Sequence, residues 1–394
     1  AQEMNVGPIS GVSSTQYYWS LSNAKVVEFR RQLEVLDQLH DFMYWGYDTR
    51  PILTNLANVL YFCKQKEQTI PPLYHFASTE QKTVFKNMDF MPFGYTYENY
   101  ILKPEFEKKN AVEKELLLTK AAVVEKPTKN IPQLSNLNTE ATYADFVPEY
   151  QNGEIEFSHG KIKALKDEAS ILFKVNSPSD KNVLLRFEEL NFTRKGRIPA
   201  WVTLEITTNT GYKKIYDVEL GGYLYFNGLR SYTFNLGYFT EEQPLTDISI
   251  KFSDEGDYVF KNIQLICEPM DVVVNNLKKL EENRLQNIKY ERNSISGNIT
   301  LDSPKLLCLS IPYLDGWKAK VDGKDQELLC ANIQYMALEL PEGNHIIELR
   351  YETPMLKLGA ITTVFGLAIF VALIFYRKRK MQIRNQEENR HDSV

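Results

Sequence analysis

The residues best placed to do recognition chemistry in this sequence are aromatic. Gly221-Gly222-Tyr223-Leu224-Tyr225-Phe226-Asn227-Gly228 is a glycine-bracketed aromatic segment, with Trp201 upstream and Tyr232 just downstream. An exposed indole or phenol stacks on a sugar through the face of its π system. Trp201, Tyr223, Tyr225 and Tyr232 are therefore candidate carbohydrate-binding residues. Such rings also fill cores, so strand packing is the competing reading. A second cluster, Tyr17, Tyr18, Trp19, Tyr44, Trp45 and Tyr47, lies near the start of the chain. Amphipathic rings suit a membrane interface or a groove for an acceptor polymer. Asp48 and Arg50 follow at once and can orient such a ligand, or form a local ion pair or cap. Trp19, Trp45, Asp48 and Arg50 form the candidate acceptor or membrane-interface set.

Other chemistry is sparse. The histidines, His40, His75, His159, His345 and His391, form no HExxH and no i, i+4 pair, which argues against a zinc hydrolase. Gly7-Pro8-Ile9-Ser10-Gly11 lacks the spacing of a nucleophile elbow, and no glycine-rich phosphate loop is present. No catalytic residue, metal site or cofactor is assigned to this chain. Acidic residues are plentiful, but a sequence does not show two of them facing each other. His345 begins a strand beside the Gly343 turn, where a structural role is expected. Trp317 alternates with Ala319 and Val321, which places it in a core. The net charge of −5 provides no footprint for nucleic acid. None of the four cysteines forms a CxxC; Cys308 and Cys330 lie on neighbouring expected strands and are either paired or buried thiols.

The elements that must position these residues divide the 394-residue chain. Residues 1–140 look like a mixed α/β region. Ser22 is a plausible N-cap for a helix over 23–39, residues 58–63 look like a buried strand, and a second helix is expected over 111–124. Two prolines within 126–139 mark a linker. Residues 141–270 carry about eight short alternating runs, the pattern of a jelly-roll-like β-sandwich. Residues 271–354 comprise a helix over 272–288 and a small β-sandwich, with Asp322-Gly323 as the strongest hairpin signal. The fold class is multidomain and mainly β.

Residues 358–376 read LGAITTVFGLAIFVALIFY, without a charge. At about 1.5 Å per residue this crosses a roughly 30 Å hydrocarbon core, so 355–377 is a transmembrane helix. Arg377-Lys378-Arg379-Lys380 marks its far side as cytoplasmic, with 378–394 as a basic tail and the bulk of the chain extracytoplasmic. The tail after Tyr376 has six basic and three acidic residues. It therefore carries +3 and leaves −8 on the remainder, a balance that does not suggest tight lipid binding by the outer part. No signal peptide precedes Gln2, so an outer domain of this kind is expected to continue from upstream membrane helices.

Ser310-Ile-Pro-Tyr-Leu-Asp-Gly-Trp317-Lys-Ala-Lys-Val-Asp322-Gly323, followed by Leu340-Pro-Glu-Gly343-Asn-His345 and Tyr351, then Pro354 and Gly359, resembles the end of YfhO-family proteins. Ser13-Ser14, Tyr17, Asn23, Asp48-Thr-Arg50, Leu56 and Val59-Leu-Tyr61 resemble the family more loosely. The resemblance implies a large polytopic membrane glycosyltransferase that uses a polyprenyl-phosphate sugar donor and acts on cell-wall glycopolymers such as teichoic acids. Its catalytic carboxylate is expected among N-terminal membrane helices, and no residue here matches that position. This chain would then shape the site or present the acceptor. A carbohydrate-binding module or a membrane-complex assembly domain is the alternative. The implied partners are the lipid bilayer, a glycopolymer or sugar, and the upstream membrane helices.

Overall fold

The computed structural model describes residues 13–18, 21–40, 42–64, 74–76, 83–88, 90–149, 153–176, 179–224, 226 and 228–391. The fold is mainly β, as the alternating runs imply. In the middle of the chain an eight-stranded antiparallel sheet curls on itself. The strand Thr142–Glu149 makes the bend. Its first three residues pair with Asn262–Pro269, and its last five pair with Ala169–Asn176. One half of the sandwich therefore holds Lys213–Glu219, Trp201–Thr208, Asp247–Phe252 and Ala169–Asn176. The other half holds Asn262–Pro269, Lys181–Glu188 and Tyr232–Phe239. Alternation along Trp201–Thr208 sends Val202, Leu204 and Ile206 into the core between the halves and leaves Trp201 outside.

The second half has no wet face. Along Lys181–Glu188, Val183, Leu185 and Phe187 enter the sandwich core, while Asn182, Leu184 and Arg186 are buried on the opposite face. The early part of the chain covers that face. Val112, on the helix Ala111–Leu118, packs on Leu184 and Ile266. The capping box of Asn110 with Glu113 starts this helix.

The helix expected over 23–39 is Ala24–Gln32. Asn23, not Ser22, caps it: its Oδ1 accepts the Lys25 N–H at 2.9 Å. Glu34, at φ 52°, turns the chain out of the helix in the left-handed conformation more usual for glycine. The helix expected over 111–124 also stops early. Ala122–Val124 is instead a strand, parallel to Tyr100–Leu102. Likewise 272–288 resolves into the helix Met270–Glu282 and the strand Gln286–Tyr290.

Residues 94–124 are not self-contained. Gly94–Tyr97 pairs with Lys305–Pro312, and Ala122–Val124 meets Leu329–Ala331. One six-stranded sheet is thus built from both ends of the chain. It packs face to face on a five-stranded sheet that contains Ser294–Leu301, Trp317–Val321 and Gly343–Tyr351. Leu307 and Leu309 point into that sandwich, whereas Leu306 and Cys308 point back at the helices. Asp322 and Gly323 form the hairpin, both at positive φ (53° and 77°). Cys308 and Cys330 are free thiols. Leu356–His391 is a single helix, and Leu356–Gln382 is long and apolar enough to cross a membrane.

Candidate functional site

Trp201 opens its strand at the edge of the sandwich and is 57% exposed. After the neighbouring strand ends, the Leu220 N–H donates to the Ala200 carbonyl, and the Tyr223 N–H donates back to Leu220. This turn lays Tyr223 against Trp201, edge to face, with ring centroids 6.2 Å apart. Gly222 makes the approach possible: a Cβ there would stand 2.3 Å from the Ile198 carbonyl oxygen. Any other residue would push the loop off the corner. Ile198 and Leu224 are also exposed.

The same outer face supplies polar neighbours. Glu219 sits directly across from Trp201, and Thr203 across from Asp217. The Thr203 hydroxyl donates to Asp217 Oδ1 at 2.8 Å. An open indole with carboxylates and a hydroxyl beside it matches the needs of a sugar, which offers one apolar face and a rim of hydroxyls.

Tyr232 has a different position. It is 3% exposed, and its hydroxyl lies 2.7 and 2.8 Å from the carbonyls of Glu219 and Leu229. It pins the aromatic loop from beneath, and burial raises its phenol above the ordinary range. Tyr225 and Trp19 lie outside the described residues.

The second aromatic cluster leads into the protein. Tyr17 stacks on Tyr44 at 5.8 Å, and Trp45 is half-buried, its N–H donating to the Asp37 carbonyl. The Arg30 guanidinium lies between the rings of Tyr44 and Tyr47, at 4.4 and 4.6 Å. Asp48 and Arg50 are buried and bonded internally. Asp48 accepts the N–H groups of Leu36 and Asp37 at 2.6 and 2.5 Å. Arg50 donates to the Leu33 carbonyl at 2.6 Å and pairs with Glu115.

Around them runs a seam of charge between the early segment and the sandwich. Arg186 grips Glu34 with two nitrogens, at 2.8 and 3.0 Å, and Thr233 adds a third bond to Glu34. Lys214 reaches Asp37 at 3.3 Å. Glu268, fully buried, takes one bond from Asn182. Burial and the negative charge of Asp37 push the Asp48 carboxyl up to about 7. Burial does the same for Glu268, against the opposing pull of Asn182 and Arg50. Burial also pushes Asp37 up, but Lys214 and the Asp48 N–H more than offset it and leave Asp37 below its usual range.

In the last sandwich, His345 Nδ1 lies 2.8 Å from Asp322 and Nε2 lies 3.1 Å from the Pro341 carbonyl, so the ring ties two turns together. Trp317 packs against Tyr351 at 5.5 Å.

A family model described as bacterial membrane protein YfhO matches residues 2–363. The chain belongs to the YfhO family. An uncharacterized YfhO protein of Bacillus subtilis (strain 168) is 23% identical over 391 residues, which cover 95% of this chain and 42% of that protein. The chain thus spans less than half the length of that YfhO relative. Among solved structures, a mycobacterial arabinofuranosyltransferase AftD is similar over 42% of this chain and 12% of its own, at 10% identity and a TM-score of 0.16. Allantoicase from Saccharomyces cerevisiae is similar over 48% of this chain and 77% of its own, at 10% identity and a TM-score of 0.18. Scores this low carry no argument about shared architecture or activity.

Proposed function

We propose that this chain is the acceptor-side, extracytoplasmic part of a YfhO-family membrane glycosyltransferase, and that its sandwich corner holds a sugar of a cell-wall glycopolymer. The observation that carries the reading is the exposed Trp201, braced by Tyr223 and flanked by Glu219, Thr203 and Asp217. Membership of a bacterial membrane protein family and the apolar helix Leu356–Gln382 support a place at the membrane. The basic run Arg377-Lys378-Arg379-Lys380 favours a cytoplasmic C-terminus and an outer location for the sandwiches. In this reading the polyprenyl-phosphate sugar and the catalytic carboxylate belong to membrane helices outside this chain. The corner orients the acceptor.

Calorimetric titration of the detergent-solubilised chain with purified wall glycopolymers and short sugars tests this. Saturable binding is expected, weakened at least about tenfold by Trp201→Ala, which corresponds to about 1.4 kcal/mol. Tyr223→Ala, which removes only the brace, is expected to act less. Absence of binding at millimolar sugar would leave an assembly domain in place of an acceptor-reading one.

A further inference from the structure

The junction between the last sandwich and the membrane helix is short and ordered. The Glu352 N–H donates to the Gly316 carbonyl at 2.8 Å, and the Leu356 N–H closes a turn on Thr353 at 3.3 Å. Helix begins at Leu356. A Cβ at Gly316 would meet the Tyr351 ring at 2.5 Å, so the loop 314–316 is held against the final strand. The four residue-to-residue steps from Glu352 to Leu356 span at most about 14 Å, so this loop is fixed close to the start of the apolar helix.

The side chains at that point are unusual for a protein surface. Lys318 and Arg350 are direct cross-strand partners, and like charges so placed repel. Lys357, one helical residue in, joins them. Among the described residues Glu352 is the acid shared by all three, at 3.4 Å from Lys318, 3.4 Å from Lys357 and 3.9 Å from Arg350. The cationic side chains are 71%, 76% and 85% exposed for Lys318, Arg350 and Lys357. Three further acids lie nearby, Asp315 on the loop, Glu348 two residues along the strand from Arg350, and Glu291, which is bonded to Ser294 opposite Arg350, but among the described residues none of them is ion-paired with these three cations. The next cross-strand pair toward the helix is Trp317 with Tyr351, two amphipathic rings of the kind enriched where a chain meets headgroups. Leu314 is exposed beside them.

We infer that Lys318, Arg350 and Lys357 form a collar that binds the phosphate of anionic lipid headgroups and seats the last sandwich on the membrane surface. The lipid phosphate supplies the counter-charge that Glu352 provides only in part. Trp317 and Tyr351, on the core-facing side of the same two strands, brace the end of the sheet nearest the helix. Exposed cations thus stand where the helix emerges, although the outer part as a whole carries an excess of acid.

Native mass spectrometry of the full chain in micelles, titrated with phosphatidylglycerol and with phosphatidylcholine, tests this inference. The basic tail beyond Tyr376 binds anionic lipid too, but it is the same in every variant and cancels in the comparison. Each cation near an anionic surface contributes about fivefold in affinity. Lys318→Gln/Arg350→Gln/Lys357→Gln is therefore expected to lower phosphatidylglycerol retention by at least about tenfold and to leave phosphatidylcholine unchanged. Glu352→Gln has the opposite expected sign: it frees the collar and raises retention. Equal phosphatidylglycerol retention by the parent and the triple variant would overturn the inference. So would a Glu352→Gln chain that retains less than the parent, or displacement of the lipid by millimolar inorganic phosphate. None of these outcomes depends on sugar binding at Trp201.

Discussion

Arg186→Met isolates the role of the buried seam. In the native chain Arg186 and Glu34 are each about nine-tenths buried and make two parallel bonds across the seam. Methionine fills much of the arginine's stem volume but leaves the Glu34 carboxylate, among the described residues, with the Thr233 hydroxyl as its one side-chain hydrogen-bond donor and the charges of Lys114 and Arg50 at longer range. Removing one partner of a buried pair costs about 3–5 kcal/mol, because the other charge stays desolvated and unpaired. Opening of the seam then becomes easier by roughly 10²- to 10³-fold or more, at about 1.4 kcal/mol per decade. The Leu36 and Asp37 amides are natural reporters, since their N–H groups are bonded to the oxygens of the Asp48 carboxyl group inside the seam. Hydrogen exchange with mass detection on peptides covering 33–50 is expected to lose protection by that factor, while peptides of the Ser294–Leu301 strand keep theirs. Adding Glu34→Gln removes the orphaned charge and is expected to restore at least half of the lost protection. Unchanged exchange in Arg186→Met, or a double variant no better protected than the single one, would refute the claim that the unpaired carboxylate sets the cost.

The pH dependence of stability follows from the raised acids. Glu268 and Asp48 hold their protons up to about pH 7 when folded, but release them near pH 4 when unfolded. Their contribution is full below the unfolded value and is lost as pH rises through about 7. Asp37 and Asp322 are lowered and act in the opposite sense below about pH 4. The melting temperature is therefore expected to be higher at pH 5.5 than at pH 8, with Glu268→Gln flattening the difference; a rise toward pH 8 contradicts this. Gly222→Ala should displace the aromatic loop from Ile198 and weaken sugar binding without a change at Trp201, as read by calorimetry. Thr49 is β-branched at φ 57°, so Thr49→Gly should relieve about 1 kcal/mol of strain, measurable as a small rise in melting temperature, set against loss of the Asn235 contact to its hydroxyl.

The sandwiches were legible where strands are wet on one side. Trp201–Thr208 and Gly343–Tyr351 alternate cleanly, and Asp322-Gly323 announces its own hairpin. Helix ends were harder to place, because the apolar period of Ala111–Leu118 runs on into Ala122–Val124. Those last residues become a strand because Tyr100–Leu102 lies parallel to them on one side and Leu329–Ala331 meets them on the other. The seam was the least legible part. Asp48 and Arg50 stood out, but burial rather than type decides their partners. Residue type alone does not set Arg186 and Glu34 apart from ordinary surface charges. One signal was present: Val183-Leu184-Leu185 and Phe187 do not alternate, so both faces of that strand must be covered and Arg186 must lie beneath something. Tyr232 was misleading for the related reason that a core tyrosine with a bonded hydroxyl looks the same in sequence as an exposed one.

The sheet shared by both ends of the chain sets a clock on synthesis. Tyr97 cannot meet Leu306 until about 200 more residues are made, which takes roughly 10–40 s at common elongation rates. Throughout that interval Tyr95, Tyr97 and Ile101, all fully buried in the finished fold, have no strand from 305–312 to cover them. The nascent chain must therefore be held apart from its neighbours until almost its last strand arrives, and the apolar helix Leu356–Gln382 emerges only after the sheet can close.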